Sequence, residues 1–436
     1  MMCFRPIGRK PFKFGLFRNI FKIFFLETLH CGQKHKNVEF KSFDQMGLSK
    51  SVKRGIYGFG LVTPTPVQKR CISEVLRNSD MIVQAKPQSG KSVAYCIAAL
   101  AKISISLRDK LQILIIAPQR ENALHIYQVQ FIYFLKKCIY ILTKIGCYAK
   151  PSIRCCLGGK SVRQDIQGLQ KGAQIVVGTI GRILDMIDRR VLKMDYLTTV
   201  IFDEMLHYQF KSSVLVAKMK PKNLFQYVQI WIFQGLIADY WYSYLKKIVY
   251  KPVKILAKRQ YLISKEIRHY FVEMKDSEDL LQRVNVLVDL LSNEHARSIT
   301  QALMEEYIPA TSFHGDICQG ERELILNHFI SGSSRFLVGS NLLSQCLHSC
   351  AMDVVINLDF PDSKNSVANY NTYMQRVGRI CARLQEYHSI NTNKNDSLKY
   401  MPPVVINFIA CEQHRIIQNE IETFFQFKMQ KLPLNW

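Results

Sequence analysis

The stretch DMIVQAKPQSGKSVAYCIAAL, Asp80 to Leu100, decides the reading of the fold. Its opening, Met81 to Gln84, is a short apolar run of strand character, and its second half is a helical run that opens at Gly90-Lys91-Ser92. A strand turning through a short loop into a helix aims backbone N–H groups and the positive end of the helix dipole at one point, which suits a phosphate. In that setting Lys91 brings a point charge to the β- and γ-phosphates and Ser92 a hydroxyl for Mg2+. The triplet is common by chance, and the strand–loop–helix context gives it weight. Ala85 stands where the general motif has its first glycine. The loop also carries Pro87, which has no N–H, and Gln88, whose bulk threatens the phosphate cradle.

Outward from this stretch, similar apolar runs recur with helical patterns between them. DMIVQA, LQILIIAP, AQIVVGT, TTVIFDE and VQIWIF form one group, and TSFHG, RFLVGS, AMDVVINLDF and PVVINFIA a second. Continuous apolar strands alternating with helices argue for parallel sheets covered on both faces. The basic segment Lys251 to His269 lies between the groups as a plausible linker. The reading is an α/β protein of two doubly wound lobes, residues 41–262 and 263–436, after a basic, Phe-rich extension, residues 1–40.

The chain of 436 residues is 48% hydrophobic, ample for real cores. Its 59 Lys+Arg against 34 Asp+Glu give a net charge of +25, a field that suits a polyanion, most simply nucleic acid. Its 13 cysteines include no CxxC pair and no repeated spacing, so neither a zinc site nor a disulfide framework is suggested. No apolar run reaches the roughly 18 residues of a membrane span, and no membrane is expected. The first 26 residues hold six basic and no acidic residues, which leaves mitochondrial targeting as a minority alternative to a cytoplasmic or nuclear place. A second stretch, TVIFDEMLHYQF from Thr199, ends a buried strand in Asp203 and Glu204, where α/β nucleotide enzymes hold a metal and aim a water.

Taken with RGIYGFGLVTPTPVQKRCI, LQILIIAPQRENA, Gly158-Gly159, VGTIGRILDMI, SFHGD, SGSSRFLV, VINLDFP and YMQRVGR, these stretches resemble the DEAD-box RNA helicases, from about Phe43 to Trp436. Within that family the run Arg54 to Gly60 and the ending IETFF…LPLN are most similar to the translation initiation factor 4A group and its exon-junction relative. The resemblance implies two RecA-like lobes with ATP and Mg2+ between them, RNA across both, a monomer, and protein partners of the translation-initiation or exon-junction kind. It implies nucleotide contacts at Gln68, Gly90, Lys91 and Ser92, with Mg2+ held by Ser92 and Asp203 and catalysis by Asp203, Glu204 and Arg379. It implies RNA contacts at Arg120, Gly159, Thr179, Gly181, Arg182, Gln319, Arg322 and Arg376. His314 reads as a local structural histidine, since no cluster of ligands surrounds it.

The departures from the family pattern are as telling. Leu61 stands for the aromatic that stacks on adenine, and Gln88 for a loop glycine. The acidic motif reads as shortened by three residues, so which acids remain is open. The family's Ser-Ala-Thr motif becomes Gln234-Gly235-Leu236, which removes both hydroxyls that should meet the last acid. Asn341, Gln345, Cys346 and His348 replace ribose- and RNA-holding residues, and the arginine finger falls at Ala382, with Arg383 one step late. Between NVLVDLL and TSFHGD there is room for a helix but hardly for a strand, so the second sheet is expected to lack one. Together these lead us to expect RNA binding, weakened ATP binding, and hydrolysis impaired or lost. An active helicase in translation initiation or mRNA processing and a protein-binding scaffold are the alternatives.

Overall fold

The computed structural model describes residues 40–436 apart from 118–127, 158–160, 205–208, 220–227, 274–288, 291–292, 306, 308, 315, 332–335, 341–351, 353, 362–365, 381–401 and 434–436. All nine apolar runs become strands. In the first lobe, β1 (Met81–Gln84), β2 (Ile113–Ala117), β3 (Ile153–Cys156), β4 (Ile175–Thr179), β5 (Thr199–Asp203), β6 (Gln229–Gln234) and β7 (Val253–Leu256) form one sheet in the order β3-β4-β2-β5-β6-β1-β7. Every pairing in it is parallel. β1, β4, β5 and β6 are buried at every residue, which is why their sequences read as unbroken apolar runs rather than alternating ones. The helices around the sheet are α1 (Lys50–Gly58), α2 (Pro66–Leu76), α3 (Lys91–Lys102), α4 (Gln128–Ile145), α5 (Val162–Gln170), α6 (Ile180–Asp188), α7 (Gln209–Met219) and α8 (Trp241–Ile248).

The second sheet is also all parallel. It contains β8 (Arg268–Glu273), β9 (Asp289–Leu290), β10 (Ala310–Phe313), β11 (Phe336–Ser340), β12 (Val354–Asn357), β13 (Val404–Ile409) and β14 (Gln430–Lys431), in the order β10-β11-β9-β12-β13-β8-β14. Its helices are α9 (Asn293–Glu305), α10 (Gln319–Ile330), α11 (Ser366–Val377) and α12 (Glu412–Phe425).

The expectation of a missing strand is therefore corrected. The interior position is filled by β9, only two residues long, drawn from the VDLL run just before the short segment. It pairs Gly339 with Asp289 and Ser340 with Leu290 on one side, and reaches β12 only through Asp289 and Asn357 on the other. Backbone N–H and C=O groups inside a sheet must be paired, so the nearest available chain is drawn in even when it is short. Among the described residues, one buried cluster beside β10 and β11 holds Leu303, Ala310 and Val338, with Phe313 and Leu337 of the same strands also buried, and the first lobe has an extensive core around Phe202, Ile230 and Ile232.

The segment read as a linker is largely built into the lobes. Its first part is β7, at the edge of the first sheet beside β1. Leu262, Ile263 and Ile267 are buried with Phe360, Tyr373, Val377 and Ile421 of the second lobe. Strand β8 begins at Arg268, inside the same segment.

Candidate nucleotide and RNA site

The phosphate loop is built as its sequence predicts. Strand β1 ends at Gln84, and α3 starts at Lys91 behind a left-handed Gly90, φ 88°. The left-handed backbone and the close neighbours both favour glycine at position 90. A Cβ there would stand 2.6 Å from Gln68 Nε2 and 3.2 Å from Thr65 Oγ1. Gln68 in turn starts α2 by a capping box: its backbone N–H donates to Thr65 Oγ1 (3.3 Å), and its side-chain Oε1 accepts from Thr65 N (2.9 Å). The Thr65 hydroxyl donates to the Ser89 carbonyl at 2.9 Å, so the cap of α2 and the phosphate loop are one construction.

Two features set this loop apart. Gln88 keeps φ 58°, the left-handed conformation a glycine would supply without strain, and its carboxamide is buried in the loop. The Lys91 ammonium, buried, donates to the carbonyls of Ala85 (2.6 Å) and Lys86 (3.4 Å). A phosphate must draw Lys91 off these carbonyls before it can use the charge.

β5 and β6 place the acidic pair beside the loop. Asp203 pairs in register with Phe233, and Gln84 with Gln234. Asp203, 4% exposed, accepts a hydrogen bond from the Tyr95 hydroxyl at 3.1 Å; that hydroxyl also lies 3.0 Å from Cys138 Sγ. Burial raises the Asp203 carboxyl above the ordinary carboxylate range, against the pull of Lys91, the Tyr95 hydroxyl and Lys137. Sequence reading missed Tyr95, yet its position four residues after Lys91 on α3 puts it on the same helical face.

Glu204 adopts φ 49°, a left-handed turn forced where the motif is shortened, and its N–H donates to the Phe233 carbonyl at 2.8 Å. Its carboxylate accepts from the Gln234 side-chain amide and from the Gly235 backbone N–H. Burial, then the neighbouring Asp203, push the Glu204 carboxyl up to about 7 against the pull of Lys91 and these two donors. The contact between the acidic motif and the third motif is thus not lost, as the absence of hydroxyls suggested. An amide has replaced the hydroxyls, and Glu204 is the acid that meets it. Gln84 ties the same corner further, accepting from Ile237 N at 2.7 Å and donating to the Ala257 carbonyl at 2.9 Å.

The residues carried over as RNA contacts are dispersed in what they do. Arg182 is buried in an ion pair with Asp165 of α5, both side chains no more than 10% exposed. Arg376 is buried and donates to the Asp359 carbonyl (2.8 Å) and Oδ1 (3.2 Å). Thr179 is the buried N-cap residue of α6, Gly181 follows in its first turn, and Arg322 is buried on α10. Gln319 opens α10 and Arg379 lies in the 3-10 turn Gly378–Ile380, but their side chains, like Arg120, Gly159 and Ala382-Arg383, fall outside the described residues. His314 is buried and accepts from Arg297 Nε at 3.1 Å, in keeping with a structural role.

The DEAD/DEAH box helicase family model matches residues 65–220, and the helicase conserved C-terminal domain matches residues 273–383. A protein named ATP-dependent RNA helicase eIF4A from Aspergillus clavatus is 30% identical over 426 residues, covering 94% of this chain and 97% of that one. The chain belongs to the DEAD-box family of ATP-dependent RNA helicases. Eukaryotic initiation factor 4A of Drosophila melanogaster is 31% identical over 410 residues, 91% of this chain and 92% of its own. Among solved structures, S. cerevisiae Dbp5 bound to RNA and ADP BeF3 matches with a TM-score of 0.71 at 21% identity, over 90% of this chain and 96% of that one. A DEAD box protein from Methanococcus jannaschii matches with a TM-score of 0.52 at 21% identity, over 91% and 100%. Both structures bear on the fold.

ATP and Mg2+ fit this DEAD-box site only in part. Ser92 at the start of α3 and Asp203 at the end of β5 are the right donors for Mg2+, and Lys91 is the right charge for a phosphate. The Lys91 charge is already engaged by the loop carbonyls, and the loop carries a buried carboxamide at Gln88 where the family pattern has glycine.

Proposed function

We propose that this DEAD-box protein binds RNA across its two lobes, binds ATP weakly, and hydrolyses it poorly or not at all. The observation that carries the reading is Glu204. The shortened motif keeps two acids, and one of them is committed to Gln234 and Gly235 from a left-handed backbone turn. Asp203 remains for Mg2+ but already accepts from Tyr95. Phosphoryl transfer needs a metal, an oriented water and a cation for the developing charge together, and these parts are strongly non-additive. A family arginine finger alone is worth about a thousandfold or more, and here its position in the sequence is Ala382. The net charge of +25 supports the RNA half of the reading.

The test is RNA-stimulated ATPase of purified, folded protein beside Lys91→Ala, with folding checked by thermal melting. Equal, background-level turnover in the two is expected. Turnover well above the Lys91→Ala control would instead establish an active helicase. RNA affinity that barely changes between low and moderate salt would remove the RNA reading, because phosphate contacts release counterions.

A further inference from the structure

The third motif does more than hold Glu204. Leu236, which stands where the family pattern has a hydroxyl, is 3% exposed and belongs to the same buried apolar cluster as Phe360, Tyr373, Met374 and Val377 of the second lobe. Its neighbour Gly235 lies directly against α11: a Cβ there would be 2.9 Å from Met374 Cε and 3.6 Å from Asn371 Oδ1. A second contact joins the phosphate loop to the 3-10 turn after α11. A Cβ on Gly378 would sit 2.7 Å from Pro87 Cβ and 2.8 Å from its Cγ. Only a glycine lets that turn close onto the proline.

These contacts act as one block. Ala85 N donates to the Gln234 carbonyl at 3.2 Å, so the phosphate loop and third motif are fixed to each other before either touches the second lobe. The connection between the lobes adds to the seam through Leu262 and Ile263 in the same cluster, and through the Arg259 guanidinium 4.7 Å over the Phe424 ring. Among the described residues the Leu236, Gly235 and Pro87–Gly378 contacts are made by apolar side chains, glycine backbone and a proline ring, with Asn371 and the Arg259 guanidinium beside them. A polar, hydroxyl-lined joint is stable apart as well as together because water satisfies it when open. An apolar one is favoured only when shut.

We propose that the lobes of this protein are docked without nucleotide, held by Leu236, Gly235 and the Pro87–Gly378 contact, and that it therefore grips single-stranded RNA in an ATP-independent way. The inference rests on the RNA-binding reading above and adds how that binding is regulated. A nucleotide shifts an equilibrium only by its differential affinity for the two states, so lobes already docked leave it little to shift.

The experiment uses the full chain, stripped of nucleotide. Small-angle scattering without RNA reports whether the lobes are docked, and fluorescence anisotropy with a labelled oligouridylate reports RNA affinity with and without Mg2+ and a non-hydrolysable ATP analogue. Docked lobes are expected, with RNA affinity changing by less than about threefold on adding the analogue. Leu236→Ser should extend the molecule and weaken nucleotide-free RNA binding by about tenfold, as it would if the variant docked a tenth of the time. Pro87→Gly, which removes the other contact, should act in the same direction and serves if Leu236→Ser fails to fold.

An extended wild-type molecule overturns the docked seam. RNA binding that requires the analogue overturns the inference and leaves the RNA-binding reading standing. RNA binding absent under every condition overturns that reading, and the ATP-independent grip with it.

Discussion

Replacing Gln88 by glycine separates two consequences of the same residue. Gln88 holds φ 58° in the phosphate loop, with its carboxamide buried there. A non-glycine residue in the left-handed region costs about 1–2 kcal/mol. Glycine removes that strain but returns about 0.5–1 kcal/mol through the freedom it gives the unfolded chain. The net change in stability from Gln88→Gly is then between nothing and a gain of about 1.5 kcal/mol, or up to about 6 °C in the melting of a lobe this size. Nucleotide binding should respond more strongly. Clearing the side chain lets the loop amides meet a phosphate, and one charge-assisted hydrogen bond is worth about 1.5–3 kcal/mol. That is about ten- to a hundredfold in Kd. The assay is titration of a fluorescent ATP analogue with Mg2+, beside a thermal melt of the same samples. ATP hydrolysis should stay flat in this variant, because Glu204 remains bonded to Gln234 and Gly235. Unchanged affinity with unchanged melting would show that Gln88 does not hinder nucleotide binding. A melting point lowered by several degrees would refute the strain argument itself.

Two further outcomes follow from buried groups. Arg182→Ala should destabilise the first lobe by about 3–5 kcal/mol, since it strands Asp165 as a buried charge; a melt within 1 °C of wild type would return Arg182 to the RNA-contact role its motif implies. His269, 7% exposed with Nδ1 3.0 Å from the Tyr373 hydroxyl, is pushed by burial from 6.5 down to about 3, so it folds neutral. Its contribution is fully present above pH 6.5 and is lost progressively as pH falls toward 3, amounting to about 2 kcal/mol at pH 5. The difference in melting between wild type and His269→Phe should therefore shrink from pH 7 to pH 5. A difference constant across that range would show that His269 does not fold neutral.

Most strands legible in the sequence were buried ones. MIVQ, ILIIA, IVVGT, TVIFD, QIWIFQ and VVINFI carry their burial as apolar runs, whereas ATSF and VVIN of the second lobe are buried only in part, with Val354 exposed. β3, β7, β8 and β14 escaped because their residues are mixed. β7 is an edge strand with alternating exposure, and β8 enters the sheet as Arg268-His269. The phosphate loop was legible because local spacing fixes it. What Lys91 does there was not, because its carbonyl partners follow from loop shape, nor was the Glu204–Gln234 contact, made between residues thirty apart. Arg182 and Arg376 matched motif positions, but their ion pairs with Asp165 and Asp359 join separate elements and have no local signature.

The two shortened places were absorbed in the same physical way, and this explains why the fold tolerates them. At the acidic motif the backbone still delivers the Glu204 N–H to the Phe233 carbonyl, at the cost of a left-handed residue. In the second sheet Asp289-Leu290 fills a position meant for a full strand. In both, the demand that is met is the pairing of backbone groups, which every residue but proline carries and almost any residue can satisfy. Catalysis has no such tolerance, because a carboxylate one position out of place bonds to whatever donor is near. Glu204 illustrates the difference: its backbone is where the sheet needs it, and its side chain has become part of the joint with the third motif. The same substitution that supplied that joint's amide, Gln234, is followed by Gly235 and Leu236, which press against α11 and its cluster. Loss of the hydroxyls and the packing of Leu236 against the second lobe are therefore one change read at two scales, the first at the Glu204 carboxylate and the second at α11.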